Sequence, residues 1–157
     1  MRDWKLPWTG RCRCGEVEIA VTAAPICTAA CHCRGCQKMS SSAYSLTAMV
    51  PVEGFAVTKG ETAIGGAHGP DLHHHFCPRC MTWMFTRPAN VPFVNVRPTM
   101  LDDTSWFRPF METWASTRLP FAETGAVRSY AEFPPMEDFG PLLQEFSQWA
   151  EEEAGRG

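Results

Sequence analysis

The sequence predicts a mainly β, compact single domain with one amphipathic helix at its C-terminal end. Three observations carry that expectation. Gly and Pro, 12 and 13 in the chain, recur at short intervals between Thr9 and about Tyr130, the punctuation of many short strands. Polar and apolar residues alternate at candidate strand positions, and helical spacing of apolar residues is confined to the stretch after Pro141. With 157 residues, 45% of them hydrophobic, the chain suffices for one domain that buries roughly 70% of its unfolded surface, and a second full domain is excluded.

The elements follow in order. Glu16-Val17-Glu18-Ile19-Ala20-Val21 alternates, so Val17, Ile19 and Val21 face a core while both glutamates face water. Further strands are expected at Tyr44–Val50, Phe55–Lys59, Leu72–Phe76, Trp83–Thr86, Phe93–Arg97 and Phe110–Trp114, separated by turn-prone stretches such as Gly65-Gly66 and His68-Gly69-Pro70. After Pro141, Leu142, Leu143, Phe146, Trp149 and Ala150 recur at helical spacing, with Gly155 as a stop. Residues 9–133 are therefore read as the β domain and 134–157 as a tail with a helix. The helix carries Glu145, Glu151, Glu152 and Glu153 on its polar face, so its apolar stripe docks on the domain or on a second copy of the chain, making a homo-oligomer, rather than on a membrane.

Charge and hydropathy exclude several functions. A net charge of −3 and a pI of about 5.9 offer no general attraction to nucleic acid or anionic lipid. The longest uncharged runs, Ile19–Cys33 and Met39–Val52, fall short of the ~20 apolar residues of a membrane helix and are broken by Pro25 and Pro51. The N-terminal residues lack the apolar core of a secretory signal, so a cytoplasmic protein with reduced thiols is expected.

Reduced thiols leave eight cysteines in need of another reason. Seven fall into Cys12-x-Cys14, Cys31-x-Cys33-x-x-Cys36 and Cys77-x-x-Cys80, with Cys27 alone. Each pair presents two convergent thiolates to a soft metal. The simplest pairing joins Cys12, Cys14, Cys77 and Cys80 into a closed, structural four-thiolate zinc site that clips distant segments together. Cys31, Cys33 and Cys36 then supply three ligands with an open fourth position, the arrangement of catalytic zinc, where an incoming thiol is deprotonated. Disulfides and an iron–sulfur cluster are alternatives, and so is a second structural zinc closed by Cys27 or His32. Cys27 is either that fourth ligand or a small buried hydrophobe, and His32, between two ligands on extended chain, is expected to point away from their metal.

These residues carry a resemblance. Gly10-Arg11-Cys12-Arg13-Cys14-Gly15-Glu16-Val17, Cys31-His32-Cys33-Arg34-Gly35-Cys36-Gln37-Lys38, Phe76-Cys77-Pro78-Arg79-Cys80 and Trp114-Ala115-Ser116-Thr117-Arg118-Leu119-Pro120 resemble the glutathione-dependent formaldehyde-activating enzyme family, to which the centromere protein V domain is also similar. The resemblance covers about Thr9 to Phe133. It implies several coiled antiparallel β-sheets stapled by two zinc ions, one structural on Cys12, Cys14, Cys77 and Cys80 and one catalytic on Cys31, Cys33 and Cys36. The implied activity is that of a carbon–sulfur lyase joining glutathione to formaldehyde as S-hydroxymethylglutathione. Glutathione is anionic, so Arg34, Lys38 and Arg118, in or near the motif segments, become its candidate partners.

Three departures from the family pattern stand out. Met81 occupies a position where the family carries glycine, so the left-handed turn there must be made by another residue or reshaped. His73-His74-His75 precedes Phe76 and offers either proton carriers or sheet-capping residues, and Cys27 lies outside the family motif. A competing reading is a non-catalytic zinc-stabilised module whose six Trp and ten Phe meet a protein partner.

Overall fold

The computed structural model describes residues 2–67 and 69–156, so the turn expected at His68-Gly69-Pro70 falls outside the described residues at His68. Among the described residues the strands are β1 Trp8–Arg11, β2 Glu18–Val21, β3 Cys27–Cys31, β4 Ser45–Pro51, β5 Phe55–Lys59, β6 Ala63–Gly65, β7 Leu72–Phe76, β8 Trp83–Pro88, β9 Phe93–Val96, β10 Met111–Thr113 and β11 Arg128–Ser129. The helices are α1 Arg34–Ser40 and α2 Met136–Ala154. Every strand expected from alternation is present, and Val17, Ile19 and Val21 are buried as their spacing demands.

The strands form two open sheets, ordered β1-β2-β5 and β11-β10-β3-β4-β9-β8-β7-β6. Purely antiparallel sheets were expected, and this needs correction: β10 runs parallel to both β3 and β11. Tight hairpins force antiparallel pairing, but β10 reaches β3 only after the whole β4 to β9 meander, and a long connection can return a strand in either direction.

The pleat divides the larger sheet into two working faces. Ala48 and Val50 of β4 and Val94 and Val96 of β9 point to the smaller sheet, forming a core with Ile19, Val21, Phe55 and Phe85. The intervening residues point the other way. There Cys27, Ala29 and Met49 pack with Phe110, Met111 and the α2 residues Leu142, Phe146 and Ala150. The apolar stripe of α2 is thus covered by this chain's own sheet.

α2 begins at Met136, five residues before the expected start, with Pro141 inside it. Proline removes one amide and crowds the carbonyl four residues back. Here that carbonyl belongs to Glu137, an exposed residue of the first turn and open to solvent. Glu137 and Asp138 in the first turn complement the positive helix end. No helix among the described residues is long and apolar enough to cross a membrane.

Candidate metal centres and an adjoining cavity

Cys12 and Cys14 follow β1 of the smaller sheet, and Cys77 to Cys80 form the turn between β7 and β8 of the larger one, so the packing of the two sheets on one another brings four sulfurs together. Sγ of Cys14 lies 3.6 Å from Cys12 and 3.7 Å from Cys77. A tetrahedral site with Zn–S of ~2.3 Å has edges of about 3.8 Å, so this donor set fits zinc. Amides support the sulfurs: Val17 N–H donates to Cys12 Sγ at 3.4 Å and Cys80 N–H to Cys77 Sγ at 3.5 Å. The left-handed turn after Cys80 is neither moved nor reshaped, because Met81 itself adopts φ 58° and donates its N–H to the Cys77 carbonyl at 2.9 Å. Its side chain stands in solvent, which leaves only the backbone cost of that conformation.

The second cluster is built by a strand end and a helix start. Cys31 closes β3, and Cys33 caps α1, its sulfur accepting the Cys36 N–H at 3.3 Å. Two braces fix the segment between them. Gln37 Nε2 donates to the carbonyls of His32 and Thr117 at 2.8 and 3.0 Å, and the Thr117 hydroxyl donates to the same His32 carbonyl at 2.9 Å. His32 turns away, as its place between two ligands required, and its Nε2 donates to Glu112 at 2.9 Å. Burial pushes the Glu112 carboxyl up, but hydrogen bonds from Thr124, His32 and Ser129 outweigh it and hold it below its ordinary value.

The three sulfurs converge within 4.8 Å. A hydrogen bond from Cys36 is the main cause that brings Cys31 down to about 5, against its burial. Cys36 is pushed far up, first by that bond and then by burial. Cys31 gives up its proton readily and Cys36 keeps its own, because like charges crowd. A divalent cation is what such a set accommodates. All eight cysteines are unbridged.

Beside this cluster opens a cavity of about 450 Å³ whose floor is the outer face of the larger sheet. Register explains its lining. Cys31, Ser45 and Thr113 are cross-strand neighbours, as are Met49, Asn95, Thr86 and His74 along a parallel row. A second cavity of about 350 Å³, lined by Ser40, Ser42, Tyr44 and Thr99, shares Ser45, Trp83 and Arg97 with the first. Arg97 is 7% exposed, its Nε has no hydrogen-bond partner, and its guanidinium carbon lies 4.2 Å over the Trp83 ring. Burial pulls its pKa down to about 10, opposed by the charge of the neighbouring cysteine cluster.

Cys27 falls outside both clusters. Four residues of strand place it about 13 Å from Cys31, and burial pushes its thiol up to about 12. Of the candidate anion partners, exposed Arg34 bonds to buried Gln37, Lys38 is exposed in the last turn of α1, and Arg118 pairs with Glu112 at 3.6 Å. None of the three lines either cavity. Alternation splits the histidines: His74 lines the larger cavity and shares a hydrogen with Thr86 at 2.8 Å, while His75 stacks on Phe85 and is lowered to about 4, mainly by burial. Sequence reasoning missed Arg97, Trp83 and Asn95. Arg97 closed a predicted strand, and only the folded chain shows that it lines the same cavity as the cysteines.

Comparison with known proteins agrees with this geometry. The family described as glutathione-dependent formaldehyde-activating enzyme matches residues 7–117. A crystal structure of a Rhodobacter sphaeroides protein is similar at 21% identity and a TM-score of 0.51, covering 60% of this chain and 87% of the other, which is a likeness of fold. No curated protein matches.

Proposed function

Since the chain belongs to the glutathione-dependent formaldehyde-activating enzyme family, we propose that it adds glutathione, or a similar thiol, to formaldehyde or another small carbonyl, at Cys31, Cys33 and Cys36. The observation that carries this is the opening of all three sulfurs onto a cavity rather than into packed protein. Zinc on these three sulfurs supplies a Lewis-acid position that keeps a thiol ionised near neutral pH.

The chain's own residues do the rest. Gln37 and Thr117 hold the Cys31 to Cys36 segment in one geometry. The thiolate sulfur attacks the carbonyl carbon, a C–S bond forms, and the C=O π pair moves to oxygen. Arg97 is the nearest buried cation to receive that oxyanion, and His74 is the titratable group on the cavity floor from which a proton can reach it. The product is a hydroxymethyl thioether, so the activity is that of an S-(hydroxymethyl)glutathione synthase-like carbon–sulfur lyase. Arg34 and Lys38, exposed on α1 outside both cavities, meet a glutathione carboxylate only where the peptide extends past the cavity, and Arg118 acts through Glu112. Cys12, Cys14, Cys77 and Cys80 hold the second, structural zinc. On this reading residues 9–133 carry the reaction in the cytoplasm, and 134–157 form a tail that walls the cavity.

Exchange NMR of glutathione with formaldehyde tests the reading. The protein is expected to speed adduct formation at least tenfold over the free reaction, and Cys33→Ser to abolish the gain. A rate equal to the free reaction with zinc-loaded protein rejects catalysis and leaves the zinc-stabilised binding module.

A further inference from the structure

The larger cavity is far bigger than formaldehyde requires. Formaldehyde has two heavy atoms and fills roughly 60 Å³, scaled from the ~30 Å³ share of a water molecule, against the cavity's 450 Å³. Away from the cysteines its walls are apolar: Phe93, Met111, Phe133, Met136 and Phe139 face the space. Phe133 is 53% exposed and Met136 78% exposed, so their apolar surface is held at the cavity mouth and not in the core. Such surface concentrated at one pocket marks a ligand. Phe133, Met136 and Phe139 also lie beyond residues 7–117, outside the segment that the family shares. These apolar walls match neither formaldehyde nor the polar backbone of glutathione.

The two cavities differ in chemistry. Ser40, Ser42, Tyr44 and Thr99 give the smaller one hydroxyl groups, and Arg97 stands where the two meet. A peptide thiol, rich in amides and carboxylates, matches the hydroxyl-lined side. An apolar thiol makes no hydrogen bonds with the hydroxyls there, so it gains less on this side than a peptide thiol does. The apolar side is left for the carbonyl compound.

We propose that the carbonyl substrate is an aldehyde bearing a bulky apolar group of phenyl or branched-alkyl size. Its carbonyl carbon meets the thiolate at Cys31, Cys33 and Cys36, and its substituent lies against Phe93, Phe133, Met136 and Phe139. The step balances without a further reactant: the S–H bond breaks, a C–S bond forms, and the proton ends on the former carbonyl oxygen. The proposal rests on the thiol-addition reading and narrows its substrate. Burying a phenyl-sized group is worth about 30-fold in binding.

The test uses zinc-loaded full-length protein with glutathione, comparing phenylacetaldehyde with formaldehyde by exchange NMR. Binding of the unreactive 2-phenylethanol is read separately by saturation-transfer NMR. The expected result is a kcat/KM at least 30-fold higher for phenylacetaldehyde, with 2-phenylethanol bound. In the Phe133→Ser, Met136→Ser double variant the preference falls at least tenfold and the alcohol signal is lost. Val52→Ser, an exposed site outside both cavities, changes neither. Formaldehyde favoured, with no alcohol binding, overturns the proposal while thiol addition stands. Faster addition of 2-phenylethanethiol than of glutathione to formaldehyde overturns it too, by placing the apolar group on the thiol. Addition with neither aldehyde overturns the thiol-addition reading itself, and this proposal with it, even if the alcohol binds.

Discussion

The Arg97 guanidinium carbon lies 4.2 Å above the Trp83 ring, in the partition between a hydroxyl-lined and an apolar cavity. A buried cation is stable only when its charge is met. Here the ring face meets part of it, and the cysteine cluster, where Cys31 ionises readily, meets more. The same pair therefore links the cysteine cluster to both binding spaces.

Arg97→Lys keeps the charge and loses the planar stack, since an ammonium is a compact, strongly hydrated point charge. Glutathione addition is expected to drop about tenfold in kcat/KM, equivalent to ~1.4 kcal/mol, with far-UV circular dichroism unchanged. Wild-type kinetics in this variant would show that the Arg97 and Trp83 stack has no part in the reaction.

Cys14→Ser or Cys80→Ser removes one sulfur from the four-cysteine cluster that brings the end of β1 to the β7–β8 turn. Structural zinc contributes folding free energy directly. These variants are expected to be insoluble or to melt far below wild type, by thermal scan with metal analysis. Soluble variants with wild-type melting would remove the four-cysteine assignment.

Phe146→Ala tests the docking of α2. Phe146 is 2% exposed and packs against Phe110 in the core under the helix. Truncation is expected to cost about 3–5 kcal/mol in urea unfolding. A loss below ~1 kcal/mol would mean that α2 does not depend on this contact.

Glu112→Ala strips partners from His32, Thr124 and Ser129 at once. His32 is fully buried and cannot replace its partner with water, whereas exposed Ser129 can, so a loss of about 1–3 kcal/mol is expected by denaturant titration. The segment carrying Cys31 and Cys33 should loosen with it, seen as faster amide exchange at His32. Unchanged exchange there would separate Glu112 from the cluster.

Much of this was legible in particular residues. Glu16 to Val21 declared its strand because one face is buried and the other wet. β3 did not, because Cys27-Thr28-Ala29-Ala30-Cys31 is a central strand buried on both faces and shows no alternation. β11, at two residues, is too short to carry a period. The cysteine spacings named both clusters, since convergent thiolates need fixed separations. The cavity was not legible: Arg97, Trp83, Asn95 and Phe139 come together only through strand register and the docking of α2. Cys27 was ambiguous by spacing alone, and the extended geometry of β3 is what carries it away from Cys31.

The claim that Cys31, Cys33 and Cys36 hold zinc for reaction is tested most directly by zinc-edge X-ray absorption, with and without glutathione. Two zinc ions per chain are expected. One keeps four sulfurs throughout, and the other has three sulfurs and a lighter atom and gains a fourth sulfur when glutathione is added. Cys33→Ser should leave about one zinc per chain and a near-wild-type melt, with Cys27→Ser unchanged in both. Two four-sulfur sites indifferent to glutathione, or zinc lost in Cys27→Ser, would contradict the account.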